Sequence, residues 1–201
     1  MVVTLGEFLG FSVPAVAGAL TAHAPAVAAA TGLLAAGAVE GTLLGAAQAL
    51  VLHRAFPSVG ARRWVVVTAG AAVFAYAIGL LPSTVADRLP DQPPVLLVIV
   101  AAVLGSTLLL SIGTAQWLVL RRAVPGSASW IATTAVAWAA GLGVFCGFAM
   151  PLWHPGQNLP AVVAIGMTGG LLMAATSSAI TGLGLRRLVA RPVLASPSGR
   201  S

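Results

Sequence analysis

The chain has 201 residues, 59% of them hydrophobic and 7% charged, where soluble proteins carry about 25% charged residues. A soluble fold this poor in charge lacks the polar surface to cover itself, and the apolar residues come in long runs, as membrane spans do. The formal charge of +6 comes from ten basic residues, all arginine, placed mostly in pairs at the ends of those runs, which excludes a basic nucleic-acid-binding face.

A span needs about 20 mostly apolar residues. Six are predicted, over 2–21, 26–52, 64–82, 95–120, 129–150 and 160–185. The first opens Met-Val-Val-Thr-Leu-Gly-Glu, with no positive lead and with an acid at Glu7. It is therefore read as a retained span and not as a signal peptide, although Ala22-His23-Ala24 has the look of a cleavage box. Arg54, Pro57, Gly60, Arg62 and Arg63 separate the second span from the third. Asp87, Arg88, Asp91 and Pro93-Pro94 separate the third from the fourth, and Arg121, Arg122, Pro125 and Gly126 the fourth from the fifth. The fifth contains the lone Cys146, which has no partner for an intramolecular disulfide. Pro151 to Pro160 leads into the sixth, and residues 191–201 read as a disordered cytoplasmic tail.

Six antiparallel spans place Arg54, Arg62, Arg63, Arg121, Arg122, Arg186, Arg187, Arg191 and Arg200 on one side and Arg88 on the other. The positive-inside rule then puts both termini in the cytoplasm and the chain in the inner (plasma) membrane. Trp64 and Trp130 open spans on that side, where indoles favour the headgroup layer. The connecting loops are too short to hold a folded domain outside the bilayer.

The run from Gly45 to Pro57, Gly-Ala-Ala-Gln-Ala-Leu-Val-Leu-His-Arg-Ala-Phe-Pro, returns from Gly113 to Pro125 as Gly-Thr-Ala-Gln-Trp-Leu-Val-Leu-Arg-Arg-Ala-Val-Pro. Each copy is followed by a span opening at Trp, so the unit is a two-span hairpin. A third copy, Thr181 to Arg187, keeps the leucines and the arginine pair but has Thr181 in place of Gln48 and Gln116. Its partner span is missing after it, and the first span is the candidate substitute. The expected architecture is all-α: a polytopic membrane helical bundle in one domain, 1–190, with three hairpins in pseudo-threefold array and spans 1 and 6 paired. The Gly113–Arg122 run resembles a module that recurs in uncharacterised multi-pass bacterial membrane proteins of actinobacterial type. That resemblance implies architecture and carries no activity.

Gly37, Gly41 and Gly45, spaced by four, line one strip of the second span and read as a helix-packing seam. Glu40 lies 12 residues from Leu52 at the arginine end, about 18 Å deep at 1.5 Å per residue and near the middle of a core about 30 Å thick. An acid at that depth must face protein or water. Two readings stand: a proton or cation site, or a neutral carboxylic acid tying helices together through Thr42, Gln116 or a carbonyl. In the other copies the position is Leu108 or Met173, so Glu40 departs from the scaffold. Glu7 reads as an acid reaching the interface or pairing with arginines. Gln48 and Gln116 read as interhelical hydrogen-bonding groups, or with Thr181 as a polar ring at the mouth of a central cavity.

His23 and His154, with Asp87 and Asp91, have no metal-ligand spacing, no histidine lies mid-span to hold haem, and Ser177-Ser178 has no base at its depth. No phosphate loop or zinc-protease motif occurs, and no cofactor is expected. The sequence points first to a non-catalytic packing, assembly or partner-binding protein in the lipid bilayer, alone, with another membrane protein or as a homo-oligomer. The alternative is a small transporter or channel working through Glu40.

Overall fold

The computed structural model of the protein describes residues 1–21, 23–154 and 156–190. It consists of six helices: α1 (Val2–Thr21), α2 (Ala26–Ala55), α3 (Ala61–Thr84), α4 (Pro94–Leu120), α5 (Ser129–Leu152) and α6 (Leu159–Val189). A short 3-10 turn, Ala86–Arg88, interrupts the α3–α4 connection. All six helices are long and apolar enough to cross a membrane. The tail expected to be disordered, 191–201, lies outside the described residues.

At the arginine-bearing ends the helices outrun the predicted spans. α2 continues through His53 and Arg54 to Ala55, α3 begins three residues before Trp64, and α6 carries Arg186 and Arg187 to Val189. Hydropathy stops where charge begins, but arginine is a good helix former and lets the backbone continue. Proline then sets the stop: α2 ends two residues before Pro57. At the other face, Pro94 and Pro160 occupy first-turn positions, where a missing N–H costs nothing. Asn158 caps α6, its side-chain oxygen accepting from the Ala161 N–H at 2.9 Å.

The helices pack in ring order, α1 on α2, then α3, α4, α5 and α6, and α6 returns to α1. The first span thus closes the ring beside the sixth. Alternating direction brings Arg54, Arg62, Arg63, Arg121, Arg122, Arg186 and Arg187 to a single face of the ring, the arginine face.

Burial is concentrated toward that half. The buried residues of α2 begin at Ala36 and those of α4 at Ile112, while those of α3 stop at Ile78 and those of α5 at Gly141. Toward the far face α4 presents Val95, Val98, Ile99 and Val103 outward. Small residues make the close half possible. A Cβ added to Gly41 would stand 2.7 Å from the Ala69 Cα and the Ala72 Cβ, and one on Gly45 3.0 Å from the Val65 Cα. Gly41 and Gly45 are thus where the α2 and α3 backbones meet, while Gly37 of the same strip meets the Tyr76 ring. Gly113 meets Ile131 and Thr134 of α5 in the same way, and Gly6 of α1 meets Ala47 of α2.

Beneath the ring an apolar cluster gathers Leu52, Val59, Trp64, Val119, Leu120, Val124, Trp130 and Leu188 at the arginine face. Trp64 and Trp130 meet edge to face, centroids 6.1 Å apart at 60°. They are 1% and 4% exposed, so they pack inside the protein and do not face its surroundings as anchors would. Val59 and Val124, from the two connecting loops, fold into the cluster with them, and their indole N–H groups find acceptors inside the ring.

Substituting Gly41→Leu should therefore drive α2 and α3 apart and cost about 1–3 kcal/mol of stability, the usual range for overpacking. Gly105→Leu, where no neighbouring atom lies within 4 Å, should be tolerated. Thermal unfolding of both variants in nanodiscs checks the difference.

Candidate functional site

Three groups of polar side chains lie inside the close-packed half. The first is an amide layer across α2, α3, α4 and α5. Gln116 is fully buried. Its Nε2 donates to the Gln48 Oε1 at 2.7 Å and to the Thr68 Oγ1 at 3.1 Å. Its Oε1 accepts from the Trp130 indole at 2.9 Å. Gln48 Oε1 also accepts from the Trp64 indole at 3.2 Å. Each repeat thus pairs its glutamine with the tryptophan of the following helix, and one bond between the glutamines joins the two hairpins.

The third copy departs from this pattern. Thr181 donates to the Ser177 carbonyl of its own helix at 2.8 Å. Thr134, which stands in α5 where Thr68 stands in α3, has a buried hydroxyl with no partner among the described residues. The shorter residue at 181 explains it, since a glutamine there would occupy the register from which Gln116 reaches Thr68. The expected polar ring of Gln48, Gln116 and Thr181 is therefore a joined pair and a separate threonine.

The second group is Glu40 and Tyr76. The Tyr76 hydroxyl donates to the Glu40 Oε2 at 2.6 Å. Glycine positions both. Gly10 of α1 backs the acid, an added Cβ there falling 3.2 Å from the Glu40 Cγ, and the Tyr76 ring lies over Gly37, 2.5 Å from where a Cβ would be. Neither Thr42 nor Gln116 serves the acid. Thr42 donates to the Ala38 carbonyl of its own helix, and Gln116 is committed to the amide layer.

Glu40 and Tyr76 line a central cavity of about 400 Å3 to which all six helices contribute, among them Phe11, Leu108, Trp138 and Met173. The repeat equivalents Glu40, Leu108 and Met173 all face it. Phe11 and Trp138 meet edge to face at 5.6 Å and 75°, bringing α1 and α5 together. On every helix the lining residues lie on the far-face side of the amide layer. The amides and the tryptophan cluster therefore form the floor of the cavity toward the arginine face. Glu40 itself is 5% exposed and stands in the cavity wall, with Tyr76 on one of its oxygens.

The third group closes the ring. Glu7, 3% exposed, accepts at Oε2 from Ser177 at 2.6 Å and from Ser178 at 3.0 Å. Its side chain is turned inward against α6, and among the described residues it meets no arginine. Glu7 precedes Phe11 by four residues, as Thr68 precedes Ala72 and Thr134 precedes Trp138, and all three later residues line the cavity. Glu7 thus holds the threonine's place in the third hairpin and turns to the serines of α6.

Tyr76 and Thr68 are the site residues that sequence reasoning passed over, and Ser177 and Ser178, weighed there only as a nucleophile, serve instead as donors to Glu7. The signal for Tyr76 was its being the sole tyrosine of the chain, on the helix facing the glycine strip. Among the described residues no group of three or more His, Cys, Asp or Glu is placed to hold a metal. Compared with known proteins, the chain matches no family model, no curated protein and no solved structure.

Thr68→Val removes an acceptor from Gln116 and should destabilise the protein by about 0.6–2 kcal/mol. Thr134→Val removes a buried hydroxyl without a partner and should be neutral or stabilising. Parallel denaturation of the two variants in one detergent checks the sign of each.

Proposed function

We propose that the protein is a non-catalytic binding or assembly protein of the bacterial cytoplasmic membrane, with both termini in the cytoplasm. The six apolar spans and the arginine bias support the location and the orientation. The observation that carries the reading is the central cavity, lined by all six helices and floored at the arginine face by the amide layer and the paired tryptophans. Such a ring receives a guest from one side and offers no way through. The hydroxyls beside both acids serve interhelical hydrogen bonds. Neither acid has a histidine or lysine partner that would activate a nucleophile. The outward apolar faces, α4 above all, suit lipid, a membrane-protein partner or a second copy.

A transporter or channel is the second reading, favoured by the acid Glu40 in the cavity wall. The floor argues against it, because a path would require the Gln48–Gln116 bond and the Trp64–Trp130 contact to part.

Liposomes holding the protein and a pH-sensitive dye should show no proton flux, with wild type and Glu40→Gln alike. A flux that disappears in Glu40→Gln would favour the transporter. In a Cys146→Ala background, Glu7→Cys with Ser178→Cys should join under a short thiol crosslinker, as the ring requires. Thiols placed in the Arg54–Arg63 and Arg121–Ser129 loops should react from the cytoplasmic side alone.

A further inference from the structure

The cavity has a chemical bias beyond its shape. Its wall is apolar apart from a few groups, and Glu40 is the one acid or base among the side chains that line it. One oxygen of that carboxyl is held by Tyr76, which fixes the side chain in the cavity wall. Three aromatic rings, Phe11, Tyr76 and Trp138, stand in the same wall, on three different helices. An aromatic face attracts a cation, the more so where water is excluded, and a carboxyl beside it that gives up its proton to the medium as the cation enters adds an opposite charge. Leu108 and Met173, at the register of Glu40 in the other hairpins, supply apolar surface for the body of the guest. The volume falls at the lower end of small-molecule sites, about 300–1,000 Å3.

We infer that the cavity is a binding site for a small lipophilic monocation, its charge held between Glu40 and the aromatic rings and its apolar body against Leu108 and Met173. The guest enters from the far face or the bilayer, because the floor closes the other route. This inference rests on the closed ring of membrane spans proposed above.

The probes are tetraphenylphosphonium and tetraphenylborate, two ions of nearly the same shape and opposite charge. Radiolabelled uptake is measured by equilibrium dialysis on the full chain in nanodiscs, with empty nanodiscs subtracted. The expected result is saturable uptake of the cation, near one per chain, with none for the anion. Glu40→Gln, which keeps the size and an acceptor for Tyr76, should weaken cation binding by about tenfold or more. Gly79→Phe supplies an independent variant. Gly79 lines the cavity, and a Cβ there has only Leu108 nearby, at 3.8 Å, so the ring would fill the space and abolish uptake.

Equal uptake of both ions overturns the inference, as does the absence of saturable uptake, or wild-type binding in both variants. If Glu40→Gln does not fold, the comparison of the two ions and Gly79→Phe decide the matter. The α1–α6 crosslink is read in the same preparation. Crosslinking without cation preference overturns the ligand assignment alone, whereas no crosslinking overturns the ring and the site with it.

Discussion

An amide in hydrocarbon has to find its partners within the protein, and the side chain of Gln116 does so on three neighbouring helices. Its two N–H bonds and its carbonyl tie α4 to Gln48 of α2, Thr68 of α3 and Trp130 of α5. Helices in lipid gain little from hydrophobic burial against one another, so close packing and hydrogen bonds of this kind decide their arrangement. The glycine strip of α2 belongs to the same constraint. It brings the α3 backbone near enough for Thr68 and Trp64 to reach the amides, and it leaves room for the Tyr76 ring. With the amides joined, the hairpins have a fixed register, and the cavity above them has a fixed outline.

The same arrangement makes the ring unequal around its axis. Two hairpins share the glutamine bond, while the third relies on Glu7 and two serines, with Thr134 left unpaired beside it. Repetition supplies the scaffold and departure from repetition supplies the chemistry. At one register Glu40 stands where Leu108 and Met173 stand, and at another Tyr76 stands where Leu142 stands. The acid and its phenol are thus paired departures on adjacent helices.

Much of the architecture could be read in the chain because it is written locally. Runs of apolar residues, prolines and arginine pairs mark six helices to within a few residues, and the pairing of spans 1 and 6 follows from counting hairpins. The oddity of Glu40 was also local, a single acid in a long greasy run. Its partner was not, since Tyr76 is 36 positions away on another helix and no periodicity links the two. The serines that receive Glu7 are 170 and 171 positions away. Trp64 and Trp130 misled for a related reason. A tryptophan at the end of a span has the composition of an interface anchor, and only the fold of the adjoining loop places it inside.

The separation between Glu7 and its serines has a consequence for how the protein is made. α1 is synthesised before the other five helices and carries an acid whose hydrogen-bond partners lie on the sixth. At 5–20 residues per second, the interval is on the order of 10 s. During that time α1 can settle on α2 through Gly6 and Gly10, but its acid has no serine to meet. Ring closure therefore waits for α6, and until that helix arrives the nascent chain is an open arc with a polar edge in the bilayer.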